Sequence, residues 1–219
     1  MSKLKIITLI PARGGSKGIP KKNIVDLSGK PLIYYSIDAS LNSRVDETWV
    51  STDDDEIAEI ASKFGSKVTK RPKYLARDTT SSEAVLLDFS KKYKDFDILV
   101  FLQATCPFIK KEDINKAINL MKKNDSVISV SKLDQFLWRE AKPMYDINNR
   151  KRRQKRKKTY LETGSIFVTT RLGLIKSKNR ISGKIGFVEV PKSRSLDIDT
   201  YEDLYLARKL MYFKNNQIL

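Results

Sequence analysis

Predicted strands and helices alternate along most of this chain, and that order constrains the fold more than any other sequence feature. Short apolar segments such as 6–10 and 97–103 predict buried strands, and apolar residues at helical spacing predict the helices between them. The predicted strands are 6–10, 48–51, 66–69, 97–103, 126–131, 164–168 and 185–190, and the predicted helices are 31–39, 54–64, 81–93, 111–123 and 200–212. Such alternation is typical of an α/β fold with a doubly wound, mostly parallel sheet. Ligands of these sheets bind beyond the carboxyl ends of the strands.

The loop that follows the first predicted strand has the composition of an anion site. Residues 10–23 contain three glycines and the cations Arg13, Lys17 and Lys21, with Lys22 beside them. Glycines let a backbone approach a ligand closely, and exposed amides in such loops bind anions. Arginine and lysine add charges that match phosphate oxygens. The loop has neither of the two common phosphate-binding glycine patterns. A surface turn is the alternative, but the ordered cations directly after a buried strand favour a polyphosphate ligand.

Two aspartates near the other end of the chain suit a divalent cation. Asp197 and Asp199 are two residues apart in a segment predicted to be extended, so their side chains point to the same side. Paired carboxylates are ligands of Mg²⁺, which also binds substrate phosphates. The alternative is that Asp199 or Thr200 caps the last helix, with Asp203 completing a capping box. Both roles are compatible, because Thr200 can cap while the two aspartates bind metal.

Composition excludes several classes of protein. The 219 residues are 40% hydrophobic and 32% charged, as in ordinary globular proteins, and we expect a single domain over 1–219. A single cysteine excludes an internal disulfide framework and favours a reducing, cytoplasmic compartment. No apolar stretch is long enough to span a bilayer, so no membrane partner is expected. The net charge of +17 raises nucleic-acid binding as an alternative, although the basic residues are spread along the chain.

The opening loop resembles the signature of the nonulosonate cytidylyltransferases, the CMP-sialic acid synthetase family, and similar stretches follow in the same order along almost the whole chain. This resemblance implies a Rossmann-like nucleotidyltransferase that uses CTP, Mg²⁺ and an acidic nine-carbon sugar. It implies that Arg13, Lys17 and Lys21 contact the triphosphate and that Arg13 and Lys21 stabilise the leaving pyrophosphate. The nucleotide-binding set that it implies also includes Ala12, Gly14 and Asn23. The metal ligands would be Asp197 and Asp199, and Asp199 is counted among the catalytic residues.

Two further stretches carry the resemblance. Residues 71–81 imply that Arg71 lies near the triphosphate and Ser81 near the cytosine, although Ser81 alone is equally typical of a helix N-cap. Residues 101–107 match at Gln103 and Thr105, which would contact the sugar. They depart from the family pattern at Ala104 and Cys106, and Ile109 stands where an arginine is expected. Without any histidine to activate it, Cys106 is expected to be a packed residue and not a nucleophile.

The middle of the chain breaks the alternation. Segment 132–161 contains eight basic residues in nine, from Arg150 to Lys158, and is expected to form an exposed excursion that is used for dimerisation and the sugar pocket. The resemblance implies that Arg153 pairs with the sugar carboxylate and that Gln154 lies beside it. Thr163 and Phe167 replace the asparagine and tyrosine that are commoner in the family, which leaves the identity of the sugar open.

These observations favour a homodimeric enzyme that joins CTP to a sialic, legionaminic or related acid. The nearer alternative is a cytidylyltransferase for the eight-carbon 3-deoxy-manno-octulosonate, whose loop lacks the Gly-Gly-Ser-Lys-Gly sequence. The alternative from another class is a nucleic-acid-binding protein that uses residues 150–158. It explains neither the opening loop nor the aspartate pair, so no nucleic-acid partner is expected.

Overall fold

The computed structural model describes residues 3–216, which contain one large sheet with helices on both faces. The strands of this sheet are β1 (Ile6–Pro11), β2 (Glu47–Thr52), β3 (Lys67–Lys70), β4 (Ile98–Leu102), β5 (Ser126–Leu133), β6 (Thr159–Thr170) and β7 (Ile185–Glu189). The helices are α1 (Leu32–Leu41), α2 (Asp55–Lys63), α3 (Ser82–Lys92), α4 (Lys111–Leu120), α5 (Arg171–Ser177) and α6 (Tyr201–Asn215). Among the described residues, no helix is long and apolar enough to cross a membrane.

The sheet order β7-β5-β6-β4-β1-β2-β3 confirms the predicted α/β class. Every neighbouring pair is parallel except those made by β6, which runs antiparallel to both β4 and β5. Because β1 lies between β2 and β4, the loops that leave these three parallel strands begin at the same edge of the sheet. The antiparallel β6 reaches that edge through its irregular middle part, where Ile166 pairs with Leu102 at the end of β4.

Local signals in the sequence explain where several helices begin and end. The Asp54 carboxylate accepts a hydrogen bond from the Ile57 amide and caps α2, and Gly65 follows the helix with a φ of +88°. Thr200 and Asp203 form a capping box at the start of α6, which confirms the helix-capping role that the sequence predicted for these two residues. Pro31, expected in the first turn of α1, instead lies immediately before it.

Three apolar clusters hold the layers together. The first lies between the sheet and α1, α2 and α4, and the second lies between the sheet and α3 and α5. The third joins the two ends of the chain, because Ile19 and Leu27 from the region after β1 pack with Ile198 and with Leu204 and Met211 of α6. Ile198, which separates the two predicted metal ligands, is fully buried in this cluster. Burial of Ile198 therefore holds both aspartates beside the opening loop.

Residues 134–158 form the excursion between β5 and β6. It contains a two-residue hairpin, Trp138–Arg139 with Lys142–Pro143, and a short 3-10 helix, Arg153–Lys155. The guanidinium groups of Arg150 and Arg156 lie 4.5 and 4.2 Å from the ring centre of Phe136. The excursion also exposes large apolar side chains, namely Leu137, Trp138, Met144 and Ile147.

Candidate active site

A cavity of about 400 Å³ lies at the carboxyl ends of β1 and β4. We call it the first cavity. Its walls come from the opening loop (residues 12–23), the segment between β3 and α3, the first turn of α3, the residues after β4, and Asp199. These pieces are far apart in sequence, and they meet because β1 and β4 are adjacent parallel strands.

Positive charge dominates the lining of this cavity. The lining includes five cations, Arg13, Lys17, Lys22, Arg71 and Arg77, and two carboxylates, Asp78 and Asp199. Each of the two carboxylates already contacts a cation. Asp78 lies 2.5 Å from Arg13 Nη1 and 2.9 Å from Lys17 Nζ, and Asp199 Oδ1 accepts from Lys22 Nζ at 2.6 Å. The excess of cations makes the cavity suitable for a ligand with several negative charges.

Arg71 is the deepest of these cations, with 6% of its surface exposed. Its guanidinium donates to the Ser51 hydroxyl and to the Ser51 carbonyl oxygen at the end of β2. Burial lowers the pKa of Arg71 to about 10, the charge of Arg13 adds to this effect, and Asp53 opposes it. Arg71 remains charged at neutral pH, and an anion in the cavity would offset the cost of its burial.

The backbone of the opening loop is fixed by bonds within the protein. Asn23 donates from Nδ2 to the Arg13 carbonyl oxygen at 2.9 Å, and the Gly14 amide donates to Asp53 Oδ1 at 3.1 Å. The Ala12 amide donates to the Ser51 carbonyl oxygen at 2.9 Å. The Ala12 and Gly14 amides are thus already occupied, and the cationic side chains supply most of the positive charge.

The structure separates the two adjacent lysines of this loop. Lys21 has a left-handed backbone with φ of +51°, and its ammonium group pairs with Glu56 in the first turn of α2. Lys21 does not line the first cavity, although its role in stabilising pyrophosphate stays a prediction. Lys22 lines the cavity instead, and its side chain is 15% exposed. Sequence reasoning noted Lys22 beside the other cations but assigned it no role.

The opening loop and the acidic segment (residues 197–199) are in contact. A Cβ added to Gly18 would lie 2.6 Å from the Asp199 carbonyl oxygen, so the contact requires glycine at this position. The Ile198 amide also donates to the Thr105 carbonyl oxygen at 3.0 Å, which ties the acidic segment to the residues after β4. The cationic loop and Asp199 therefore meet at one site. Asp197 does not line the first cavity and lies partly buried beside Cys106, so the binding of one metal by both aspartates stays a prediction.

A buried ion pair positions the chain just before the acidic segment. Arg194 donates to both carboxylate oxygens of Asp113, with the Nη2–Oδ1 pair at 2.9 Å, and its Nη1 contacts the Phe108 carbonyl oxygen. Asp113 is 1% exposed and lies in the first turn of α4. Sequence reasoning missed this pair, because nothing in the local pattern relates residue 113 to residue 194.

The environment of the aspartate pair suits a cation. Asp197 Oδ1 is buried and has no hydrogen-bond partner within residues 3–216, whereas the Asp199 side chain is 70% exposed. Burial raises the pKa of Asp197, the nearby charge of Asp199 raises it further, and the charge of Lys22 opposes the shift. A cation beside both carboxylates would reverse these unfavourable effects.

Cys106 lies next to Asp197 and behaves as a packed side chain. It is 1% exposed, and burial followed by the charge of Asp197 raises the pKa of its thiol well above the ordinary value. A thiol in this environment stays protonated, which agrees with the expectation that Cys106 is not a nucleophile.

Gln103 and Thr105, the predicted sugar contacts, both line the first cavity. The Thr105 hydroxyl donates to Gln103 Oε1 at 3.2 Å, and a Cβ added to Gly164 would lie 3.1 Å from Gln103 Nε2. Gly164 lies in the irregular part of β6 with a φ of +71°. Beneath it, the Thr163 hydroxyl bonds the Ser129 hydroxyl at 2.7 Å. The irregular part of β6 thus packs against the Gln103 amide at the cavity wall.

Ser81 both lines the cavity and caps α3, since its hydroxyl accepts from the Ala84 amide at 3.2 Å. Arg77, Asp78 and Thr80 line the same wall, and sequence reasoning gave them no role. The repeated charges and hydroxyls of stretch 71–81 were the signal that could have identified them.

Arg153 and Gln154 do not line the first cavity. Arg153 lines a second cavity of about 580 Å³, together with residues that include Lys132, Gln135 and Glu189, and its guanidinium pairs with Asp134. Gln154 follows Arg153 in the same 3-10 helix and is exposed. Their contact with a sugar stays a prediction.

Comparison with known proteins gives consistent results. A family model described as "Cytidylyltransferase" matches residues 7–218. The chain is 36% identical over 212 residues to N-acylneuraminate cytidylyltransferase B of Danio rerio, covering 92% of this chain and 50% of that protein. It is 33% identical over 230 residues to pseudaminic acid cytidylyltransferase of Campylobacter jejuni, covering 98% and 99% of the two chains. The chain thus spans about half the length of some curated relatives and nearly all of others.

Solved structures show a similar fold. One is CMP:2-keto-3-deoxy-manno-octonic acid synthetase complexed with CTP, which has a TM-score of 0.77, 21% identity, and coverage of 96% of this chain and 99% of that chain. Another is 4-diphosphocytidyl-2C-methyl-D-erythritol synthase of Anaerococcus prevotii, with a TM-score of 0.73, 15% identity, and coverage of 95% and 96%. At these identities the likeness concerns the fold alone.

Proposed function

The chain belongs to the cytidylyltransferase family, and on this premise we propose that it joins CTP to a nine-carbon nonulosonic acid to give a CMP-sugar and pyrophosphate. The observation that carries the proposal is the meeting of Arg13, Lys17 and Asp199 in one cavity. Relatives at 33–36% identity are named for N-acylneuraminate and pseudaminic acid, which supports an acidic sugar as the second substrate.

The proposed reaction is a displacement at phosphorus. The oxygen of the anomeric hydroxyl bonds to the α-phosphorus of CTP, the bond to pyrophosphate breaks, and the hydroxyl proton passes to a base at the site. Arg13, Lys17 and Arg71 would hold the triphosphate and stabilise the charge that develops on the leaving group. Gln103 and Thr105, on the neighbouring wall, would orient the sugar. Their hydrogen-bonding groups suit its hydroxyls.

Asp197 and Asp199 would hold a Mg²⁺ ion together with oxygens of the triphosphate. Asp197 Oδ1, which has no hydrogen-bond partner among the described residues, and the exposed carboxylate of Asp199 support this assignment. The described residues contain no group of three or more acidic, cysteine or histidine side chains that could hold a metal by themselves. Mg²⁺ commonly binds through one or two carboxylates plus substrate phosphates. The bound ion would neutralise phosphate charge and favour ionisation of the attacking hydroxyl. The Asp199 carboxylate also pairs with Lys22 Nζ at 2.6 Å, so a bound ion would share or replace this contact.

The protein would act as a homodimer in a reducing, cytoplasmic compartment. Apolar side chains of the excursion, including Trp138 and Met144, are exposed. This exposure supports a dimer in which a second copy of the chain buries them. The single buried thiol, Cys106, suits a reducing environment. Sedimentation of the purified chain tests the first statement, and a monomer at all concentrations would contradict it.

Turnover with defined substrates tests the proposed function. Purified protein is incubated with CTP, Mg²⁺ and each member of a panel of sialic, legionaminic and pseudaminic acids, and pyrophosphate release and the mass of the nucleotide sugar are recorded. We expect turnover with at least one nine-carbon acid. 3-Deoxy-manno-octulosonate in the same panel tests the eight-carbon alternative. Folded protein that is inactive with every nine-carbon acid would contradict the proposal.

A further inference from the structure

One contact in the first cavity offsets part of its positive charge. The Asp78 carboxylate lies between Arg13 and Lys17, with one oxygen 2.5 Å from Arg13 Nη1 and the other 2.9 Å from Lys17 Nζ. A carboxylate that bridges two cations in this way occupies them as a phosphate group would. From this geometry, we infer that Asp78 is an internal anion that the substrate triphosphate displaces and that returns to Arg13 and Lys17 as pyrophosphate leaves. The inference rests on the proposed function, since it assumes that these two cations bind the triphosphate.

Nothing else in the described part of the chain holds the Asp78 carboxylate. Neighbouring carboxylates are tied to the backbone: Asp53 accepts from the Gly14 amide, and Asp54 caps α2. Asp78 accepts no backbone amide within residues 3–216, and its only cationic partners there are Arg13 and Lys17. Its side chain is 41% exposed at the cavity wall, so it can leave the cations without breaking a helix cap or opening the core.

The two cations are equally dependent on Asp78. Within residues 3–216, neither Arg13 nor Lys17 has another ion-pair partner, and Arg13 also faces the positive charge of Arg71. The pKa of Asp78 is lowered, first by its hydrogen bond with Lys17 and then by that with Arg13, so the carboxylate is charged at neutral pH. Asp78 therefore offsets one of the two positive charges at this point and limits repulsion between Arg13 and Lys17.

Displacement has a defined thermodynamic signature. Every ligand that takes both cations must replace the same carboxylate, so its affinity is lowered by the same factor whatever the rest of its structure. CTP and pyrophosphate should both be affected, whereas cytidine, which has no phosphate, should not. The benefit to the enzyme is release of pyrophosphate, because the product would otherwise be held by two free cations after the chemical step.

Binding to the Asp78→Asn variant tests the inference. Dissociation constants for CTP, pyrophosphate and cytidine are measured by calorimetry, without Mg²⁺ so that chelation does not intervene. We expect Asp78→Asn to bind CTP and pyrophosphate about three- to tenfold more tightly, as expected for loss of two partly exposed ion pairs, with cytidine unchanged. In turnover, KM for CTP and the inhibition constant of pyrophosphate should fall together, and kcat should not rise.

Asp95→Asn is the matched control, because Asp95 is an exposed carboxylate that pairs with Lys5 away from the cavity. This variant should bind all three ligands as the wild type does. Asp78→Ala should behave as Asp78→Asn does, and melting temperatures identify any variant that fails to fold. Weaker or unchanged binding of CTP and pyrophosphate by folded Asp78 variants would overturn the inference, since Asp78 would then position the cations or do nothing. Wild-type protein that binds pyrophosphate but not CTP would contradict the proposed function instead.

Discussion

Replacing Gly18 by alanine should separate the opening loop from the acidic segment. A Cβ at this position would lie 2.6 Å from the carbonyl oxygen of Asp199, whereas ordinary contacts begin near 3.4 Å. The obstacle is backbone and cannot rotate away as the end of a side chain can. One of the two segments must therefore move by about 0.8 Å, and Arg13 and Lys17 would be displaced relative to Asp199.

The expected effect on catalysis is large. A displacement of about 1 Å between reacting groups lowers a rate about 100-fold, so we expect kcat/KM for CTP to fall by about two orders of magnitude in Gly18→Ala. Overpacking of this kind costs about 1–3 kcal/mol, and a chain of this size loses about 2–4 °C in Tm for each kcal/mol. The assay is continuous pyrophosphate release at a saturating concentration of the sugar, beside a thermal melt.

Gly15→Ala is the matched control in the same loop. A Cβ on Gly15 would meet no atom within 4 Å, and neither Gly15 nor Gly18 has a positive φ, so backbone strain is not expected in either variant. We expect Gly15→Ala to keep wild-type kcat/KM and Tm. Wild-type activity in Gly18→Ala, or an equal loss in Gly15→Ala, would refute the argument that contact between the loop and the acidic segment assembles the site.

Three further predictions concern single side chains of the site. Asp197→Asn should raise the Tm of the metal-free protein, because burial raises the pKa of this carboxyl and its charge therefore destabilises the fold. The gain should be present at neutral pH and vanish on acidification below the ordinary pKa of 3.8, and an unchanged Tm at neutral pH would contradict it. Asp199→Asn should lower turnover about 100-fold or more. It should change the free energy of unfolding by less than about 1 kcal/mol, because the Asp199 side of its ion pair with Lys22 is largely exposed. Full activity would exclude a metal role for Asp199. Ser81→Ala should lower the free energy of unfolding by about 1 kcal/mol through loss of the α3 cap, and it should also raise KM for CTP. Thr170→Ala, which removes the α5 cap away from the first cavity, should lower only the Tm. Equal KM values in the two variants would argue against contact between Ser81 and the nucleotide.

Most helices and strands were predictable because their signals are local. Ser81 and Thr200 lie at the N-caps that the sequence predicted, Asp54 precedes α2 as its N-cap, and Gly65 follows the end of α2. β6 was predicted too short, as 164–168, whereas it extends over Thr159–Thr170. The first residues of β6, Thr159 to Glu162, pair with β5, and an irregular segment separates them from the rest of the strand. The sequence of β6 alone does not reveal this pairing with β5.

The sequence by itself determined which chemical groups the site contains: a cationic glycine-rich loop, an acidic pair near the far end, and polar residues after a buried strand. The tertiary structure alone decided which of these groups face each other. It placed Lys22 in the first cavity and turned Lys21 towards α2, and it joined Lys22 to Asp199 across 177 residues of chain. The identity of a side chain is a local property of the sequence. Its direction depends on the backbone dihedrals of its residue, such as the left-handed φ of Lys21, and on packing against segments that are distant in sequence, and the local sequence pattern encodes neither.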